Sequence, residues 1–452
     1  MKNIKITQEI VYYLIHISLI NRGLILKKYI YLCLLTFSIF SFSADFDFSG
    51  YTNFLDKEIN KGNFPGFVTL VYKDGKVIFS DTRGFADIED SIALNEDSLF
   101  RIYSMTKPIT GAALMILVEQ GKVSLSDPVA KYIPEFKNTK VFNSKTNQLE
   151  KLDREVTLLD LATHSSGLTY SFVDRGKIKE IYDQEKIYPY YFLDNVSLER
   201  PAKKSYPDIC TLSEKVATLP LVHQPGEKWT YSIGMDILGC VIERASNLSF
   251  GDFLKKNIFD PLDMEDTFFE VPNSKQNRMI DLYAHKKGFK RYGVETPDMG
   301  NIKNKNLFLL DPKEDSFFFQ KVSIEDGGSG LVSTANDYLK FATMLLNKGS
   351  YKGRKILNPE TVEVMTSNQS EKKAKPFKID AFGQGVTIGV ALNAKKMKMK
   401  RGDNSFFWGG AASTDFWVDP ENDLIFVSMS QVLGSPNIDR KLERLLYKAL
   451  GI

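Results

Sequence analysis

The chain reads as an α/β protein with one sheet built from both ends of the sequence and a mostly helical middle inserted into it. Three observations point there. Strand-like runs stand near the start, at Phe67 to Tyr72 and Val77 to Ser80, and again near the end, at Thr414 to Val418 and Leu424 to Ser430. The long stretch between them has the pattern of short helices separated by polar loops, with no internal repeat. A chain of 452 residues with 43% apolar content can bury a core large enough for two domains. The division expected is a leader over 1–44, an α/β domain from 45–124 together with 331–452, and a mostly helical domain over 125–330.

The leader comes first. Lys27-Lys28 precede an apolar run, Tyr29 to Phe42, and Ser41-Phe42-Ser43-Ala44 offers small residues before Asp45. That order is n-region, h-region and cleavage site, so export is expected; an uncleaved N-terminal anchor, helped by the apolar Ile10 to Ile20, is the alternative. The first two strands flank Lys73-Asp74-Gly75-Lys76, the signature of a hairpin turn. From Met105 to Gln120 the residues are mostly apolar on every side, which predicts a buried helix with Pro108 in its first turn and Gly121 as its stop. A second helix is expected over Ile237 to Ala245, and a third from Ser333-Thr334 through Leu345, where a hydroxyl is placed to cap it. Asp419-Pro420-Glu421-Asn422-Asp423 links the last two strands, and Asp439 to Ala449 closes the chain as a helix.

Charge excludes one class of partner. With 59 basic and 56 acidic residues spread evenly, no domain-sized basic stripe exists to bind nucleic acid. The three cysteines, Cys33, Cys210 and Cys240, have no metal-ligand spacing. Cys240 shares an apolar helical face with Ile237 and Val241, so a buried thiol is the default reading and a Cys210–Cys240 bridge the alternative. The basic cluster Lys395 to Arg401 reads as a solvated hairpin tip. Tyr188, Tyr190, Tyr191 and Phe192, crowded around Pro189, either pack the helical domain or line a pocket.

Three segments carry chemistry. Arg101-Ile102-Tyr103-Ser104-Met105-Thr106-Lys107 has the form S-x-x-K at a helix start, where residues three apart share a face and an amine reaches a hydroxyl. Such a Ser is a candidate nucleophile and such a Lys a candidate proton acceptor, although an isolated match is as well explained by an N-cap and a solvated lysine. Trp229-Thr230-Tyr231-Ser232-Ile233-Gly234 places a tyrosine just ahead of a helix, where the positive helix end and a neighbouring ammonium favour its phenolate and suit it to act as a base. An aromatic plug is the plain alternative. Phe407-Trp408-Gly409-Gly410-Ala411-Ala412 leads into a strand, and its glycines either admit substrate to main-chain donors or form a bulge.

Taken in order, Ser104-x-x-Lys107, Tyr231-Ser232-Ile233 and Trp408-Gly409-Gly410 resemble the motifs of the serine β-lactamase and penicillin-binding-protein superfamily, more closely its class C β-lactamase-like branch with the family VIII carboxylesterases. Family-like stretches also stand at Leu158 to Leu168, at Gln224-Pro225-Gly226 and at Gly327 to Thr334, so the likeness runs from about Phe64 to Met429. It implies a β-lactamase/transpeptidase-like fold with the active site between the two domains. It also implies roles: Ser104 as the acylated nucleophile, Lys107 as its hydrogen-bonding partner, Tyr231 as general base, and the amides of Ser104 and Ala411 as oxyanion hole beside Trp408, Gly409 and Gly410. No metal or cofactor is implied, and no stable protein partner.

The departures bear on substrate. Trp408 stands where β-lactamases of this type usually carry a cation that clasps a carboxylate, and Ile233 stands where an Asn commonly bonds a peptide-like amide. Both turn the expectation towards small-molecule esters of apolar acids, hydrolysed or transferred to an alcohol. A β-lactamase or D-amino-acid peptidase is the rival, with Arg101 or Lys398 supplying the cation; a penicillin-sensor or cell-wall-binding protein is the rival without turnover. A Ser-His-Asp hydrolase is disfavoured, since Gly327-Gly328-Ser329-Gly330-Leu331 misses G-x-S-x-G and His164, His223 and His285 read as turn and packing residues.

Overall fold

The structure is a computed structural model that describes residues 46–174, 176–187, 206–289, 306–370 and 380–452. The leader and the aromatic cluster around Pro189 lie outside the described residues. Its helices and strands all belong to the compact unit from Phe48 to Leu450.

The two ends of the chain do meet in one sheet. Its strands are β1 (Gly66–Lys73), β2 (Lys76–Asp87), β3 (Ile92–Ala93) and, from the C-terminal part, β12 (Phe382–Gln384), β13 (Gly389–Ala391), β14 (Phe406–Gly410), β15 (Thr414–Asp419) and β16 (Leu424–Met429). The order is β12-β13-β14-β15-β16-β1-β2-β3, antiparallel throughout, and β1 joins β16 with Val68 opposite Met429 and Lys73 opposite Leu424. The turn between β1 and β2 has φ of +50° at Asp74 and +82° at Gly75, the two left-handed residues that a tight hairpin matching strand twist requires.

Strand alternation explains how the sheet is covered on both faces. On β15, Phe416 packs on Tyr338 of the helix Ala335–Leu346 with ring centroids 4.7 Å apart, while Trp417 stacks on Tyr447 of the C-terminal helix Asp439–Leu450 at 5.6 Å. The helix Ala335–Leu346 begins where its cap predicts: Thr334 accepts from the amide of Asp337. The helix Thr106–Glu119 packs on the helix Gly234–Ser246 and is buried from Thr106 to Leu117, which accounts for its nearly all-apolar sequence.

The stretch 125–330 supplies the helices Leu158–Ala162, Lys177–Gln184, Ile209–Ala217, Gly234–Ser246 and Phe250–Leu254. It also holds strands that a helical reading omits: the hairpin β5 (Lys140–Asn143) with β6 (Gln148–Lys151), and β7 (Leu282–His285) with β8 (Leu307–Asp311). These last two form a small sheet with β17 (Val432–Leu433), which runs parallel to β7. Shorter pairs, β4 (Phe100–Arg101) with β9 (Val332–Ser333) and β10 (Ser350–Tyr351) with β11 (Arg354–Lys355), complete the strands. Among the described residues no helix is long and apolar enough to cross a membrane.

Two sequence readings change. Cys210 and Cys240 are not separate thiols but a disulfide, tying the helix Ile209–Ala217 to the helix Gly234–Ser246. The basic cluster is not wholly solvated either: Arg401 is buried, pairs with Glu443 at 3.2 Å and lies over the rings of Phe407 and Trp417. The guanidinium's flat faces suit it to that sandwich, where the lysines around it stay outside.

Candidate active site

Ser104 enters the helix Thr106–Glu119 through one 3-10 turn, Tyr103–Met105. Tyr103 has φ of +43°, a left-handed conformation that an aromatic residue adopts only when its surroundings hold it. Those surroundings are the small sheet: Tyr103 packs with Leu282, Ala284, Phe308, Leu310, Leu433 and Ala412. The strands that sequence reading omitted therefore set the backbone immediately ahead of the serine. From the other side Tyr338 donates its hydroxyl to Met105 O at 2.8 Å.

Ser104 Oγ meets two partners. Tyr231 OH lies 2.6 Å away, and Lys107 Nζ donates to it at 3.2 Å. Lys107 has no exposed surface; its second acceptor is the carbonyl of Gly328 at 2.7 Å, and its ammonium end sits 4.8 Å from the centroid of the Tyr231 ring. Among the described residues no carboxylate lies within 4.0 Å of it. The turn Asp326–Gly330 is fastened to the same helix, since Thr110 Oγ1 donates to Gly327 O at 2.6 Å and Leu331 N to Thr106 Oγ1 at 3.2 Å.

Tyr231 is held by its neighbours in the chain. Thr230 N donates to His164 O at 2.8 Å, and Ser232 N donates to His164 Nδ1 at 3.2 Å. His164, fully buried, is kept well below the usual imidazole range by that burial and by Lys107, so it is neutral and acts as an acceptor that orients Ser232. Its ring lies 4.8 Å from that of Tyr231 and stacks at 6.1 Å on Trp408. His223 bonds the carbonyl of Gln224 and the hydroxyl of Thr230, a turn role like the one its position suggested.

The third segment docks on the first. Gly410 ends β14 against Ile102, and a Cβ there would stand 2.4 Å from Ile102 O and 2.1 Å from Thr414 Oγ1, so only glycine allows the contact. Thr414 Oγ1 donates to the same carbonyl at 3.3 Å. Gly409 and Ala411 are exposed, and Trp408 is half-buried with its ring 6.2 Å from Tyr231.

Ile233 is the exception among the expected site residues. It is fully buried in the core ahead of the helix Gly234–Ser246, so its side chain presents no surface to a substrate. Arg101 is likewise removed as a carboxylate clasp: it is 1% exposed, paired with Asp311 at 2.7 Å and bonded to Ile280 O. Lys398 is exposed on a turn. Sequence reading missed the aromatic wall that Trp229, Tyr170 and His164 build around Tyr231, with centroids 6.2, 5.2 and 4.8 Å from its ring. Tyr170 lies just past the Leu158 to Leu168 stretch, and that adjacency was the available signal.

Residues 52–450 match the Beta-lactamase family. Esterase EstB of Burkholderia gladioli is 31% identical over 366 residues, covering 80% of this chain and 85% of that protein. Uncharacterized protein MT1414 of Mycobacterium tuberculosis is 31% identical over 422 residues, 86% of this chain and 96% of its own. Among solved structures, EstCE1, a hydrolase with promiscuous acyltransferase activity, superposes with a TM-score of 0.68 at 20% identity, over 88% of this chain and 98% of its own.

Proposed function

Because the chain belongs to the Beta-lactamase family, we propose that it is a serine hydrolase that cleaves short-chain carboxylic esters through an acyl-Ser104 intermediate. The observation that carries this reading is the convergence on Ser104 Oγ of Tyr231 OH at 2.6 Å and Lys107 Nζ at 3.2 Å. A serine hydroxyl attacks a carbonyl only when its proton has somewhere to go, and both neighbours are within hydrogen-bond reach.

On this reading the steps run as follows. Tyr231 takes the Ser104 proton as Oγ attacks the ester carbon, and the tetrahedral oxyanion accepts hydrogen bonds from the amides of Ser104 and Ala411. Tyr231 returns the proton to the departing alkoxide, which leaves as alcohol. Water then takes that place, gives its proton to Tyr231 and attacks the acyl carbon; the acyl–Oγ bond breaks, Tyr231 returns the proton to Oγ, and the carboxylic acid leaves with Ser104 restored. An alcohol in place of water gives acyl transfer by the same path.

Ester rather than β-lactam or peptide is favoured by what surrounds the nucleophile. Trp408 replaces a carboxylate-binding cation, Arg101 is committed to Asp311, and the wall around Tyr231 is aromatic. EstB, named an esterase, supports the same class. Export belongs to this reading too, since a Cys210–Cys240 disulfide persists best outside the reducing cytosol.

The test compares initial rates on p-nitrophenyl acetate, p-nitrophenyl butyrate and the β-lactam nitrocefin for wild type and Ser104→Ala. Ester turnover reduced at least about a thousandfold in the variant, with nitrocefin slow, is expected. Dominant nitrocefin turnover would overturn the substrate class, and ester activity surviving in the variant would remove Ser104 as nucleophile.

A further inference from the structure

Two buried acids meet behind Lys107, and the reaction drawn above uses neither. Asp236, in the first turn of the helix Gly234–Ser246, has no exposed surface, and neither of its carboxyl oxygens is reached by an N–H or O–H donor among the described residues. Asp326, 1% exposed, is fully supplied: Oδ1 accepts from the amides of Gly328 at 2.6 Å and Ser329 at 2.9 Å, and Oδ2 from the Ser329 hydroxyl at 2.5 Å. Both acids press on one residue. A Cβ on Gly328 would lie 2.8 Å from Asp236 Oδ2 and 3.2 Å from Asp326 Oδ1, and it is the carbonyl of this Gly328 that accepts from Lys107.

An ionised carboxylate with no donor in a dry interior is among the most unfavourable groups a protein can hold. Two buried carboxyl groups at one site settle by sharing a proton, and the donors decide which keeps it. Here three donors bond Asp326, whereas Asp236 has only its own main-chain amide nearby, in poor geometry.

We propose that Asp236 is a positioning residue: a protonated carboxylic acid that shares its proton with Asp326 and so clamps the Asp326–Gly330 turn, whose Gly328 carbonyl holds Lys107 against Ser104. Being neutral, it leaves a single negative charge behind Lys107, too far for an ion pair that would draw Nζ away from the serine. The titratable groups facing it are Lys107 from the helix Thr106–Glu119, Asp326 from the turn, and Tyr170, whose hydroxyl oxygen also lies 2.8 Å from the Cβ position on Gly328. Burial first, and then the charge of Asp326, raise the Asp236 carboxyl well above its ordinary range, and the attraction of Lys107 does not reverse this.

The inference leans on the esterase reading only for its kinetic arm, so the experiment has two arms. Isotope-edited infrared spectra of the full chain, with labelled aspartate and no substrate, should show protonated-carboxyl absorption at neutral pH that loses one component in Asp236→Asn, while any component from the buried Asp415 remains. With p-nitrophenyl butyrate, Asp236→Ala should lower kcat about tenfold or more with KM within about twofold, and Asp236→Asn, which keeps shape and a donor without charge, should recover to within about threefold of wild type. Absence of an Asp236 component, an Asn variant as impaired as the Ala variant, or an Ala variant without effect would each overturn the proposal. If wild type itself turns over no ester, the esterase reading fails while the infrared arm still decides the protonation of Asp236.

Discussion

Arg101 and Lys107 stand on either side of Ser104, and both are sealed from solvent, at 1% and 0% exposure. Arg101 has a carboxylate, Asp311, at 2.7 Å and further bonds to Ile280 O and the Ser316 hydroxyl. Lys107 has a serine hydroxyl, a glycine carbonyl and the face of a tyrosine ring. A buried cation that only supports the fold is neutralised, because the desolvation cost is otherwise unopposed. Lys107, whose ammonium donates to Ser104, is instead kept among neutral groups, and Asp236 and Asp326 are set behind a glycine. On the proposed mechanism, the contrast separates a structural charge from a working one without reference to motif.

Substitution should divide the two roles cleanly. Lys107→Met is expected to reduce ester turnover by at least about a thousandfold while leaving the melting temperature unchanged or higher, since an unpaired buried cation is replaced by a shape-matched apolar chain. Rates and thermal unfolding on the same sample check it; a large drop in melting temperature would mean that Lys107 supports the fold after all. Arg101→Met should behave oppositely. It removes the cation of a buried ion pair and should cost about 3–5 kcal/mol of stability, with a far smaller loss of kcat in the folded fraction. Adding Asp311→Leu should restore part of that stability, because the pair is then removed whole.

The difference between these cations was not legible in the chain. Ser104 and Lys107 were, because their relation is local: three residues on one helix face. So were the Asp74-Gly75 turn, the Thr334 cap and the glycines before β15, each a case where residue type answers a backbone need within a few positions. Arg101 looked like a free cation for a substrate carboxylate, because its partner arrives on β8 from a distant part of the sequence. The sheet that carries β8 escaped for a related reason. The two residues of β17 are too few to show a period, and β7 is buried at all four positions, so it has none either. Ile233 failed differently. Its type was read correctly as apolar, but whether that side chain faces a pocket or the core depends on how the segment turns into the helix Gly234–Ser246. Cys210 and Cys240 gave no spacing from which pairing follows.

The contrast can be run on acids as well as cations, at smaller scale. Asp281 stands beside Leu282, which lies opposite Asp311 in the small sheet, and both acids are buried. Asp311 has Arg101, whereas Asp281 accepts the amide of Lys313 at 2.8 Å while the Lys313 ammonium turns to Asp87 at 3.0 Å. Burial, with Asp87 and Glu314 adding to it, raises the Asp281 carboxyl to about 6. The folded chain therefore holds this proton more tightly than the unfolded chain does, whose aspartates titrate near 4. Its contribution to stability is complete below about pH 4, falls as pH rises to about 6, and is gone above that. Asp281→Asn should raise the melting temperature by about 2 °C at pH 7 to 8, with the gain fading to nothing as the pH approaches 4. Asp311→Asn, the same change made one strand away, leaves Arg101 without its carboxylate and should lower the melting temperature at pH 7. Thermal unfolding of the two variants across that pH range is the measurement, and a shift of the same sign for both at pH 7 would erase the distinction between a paired and an unpaired buried charge.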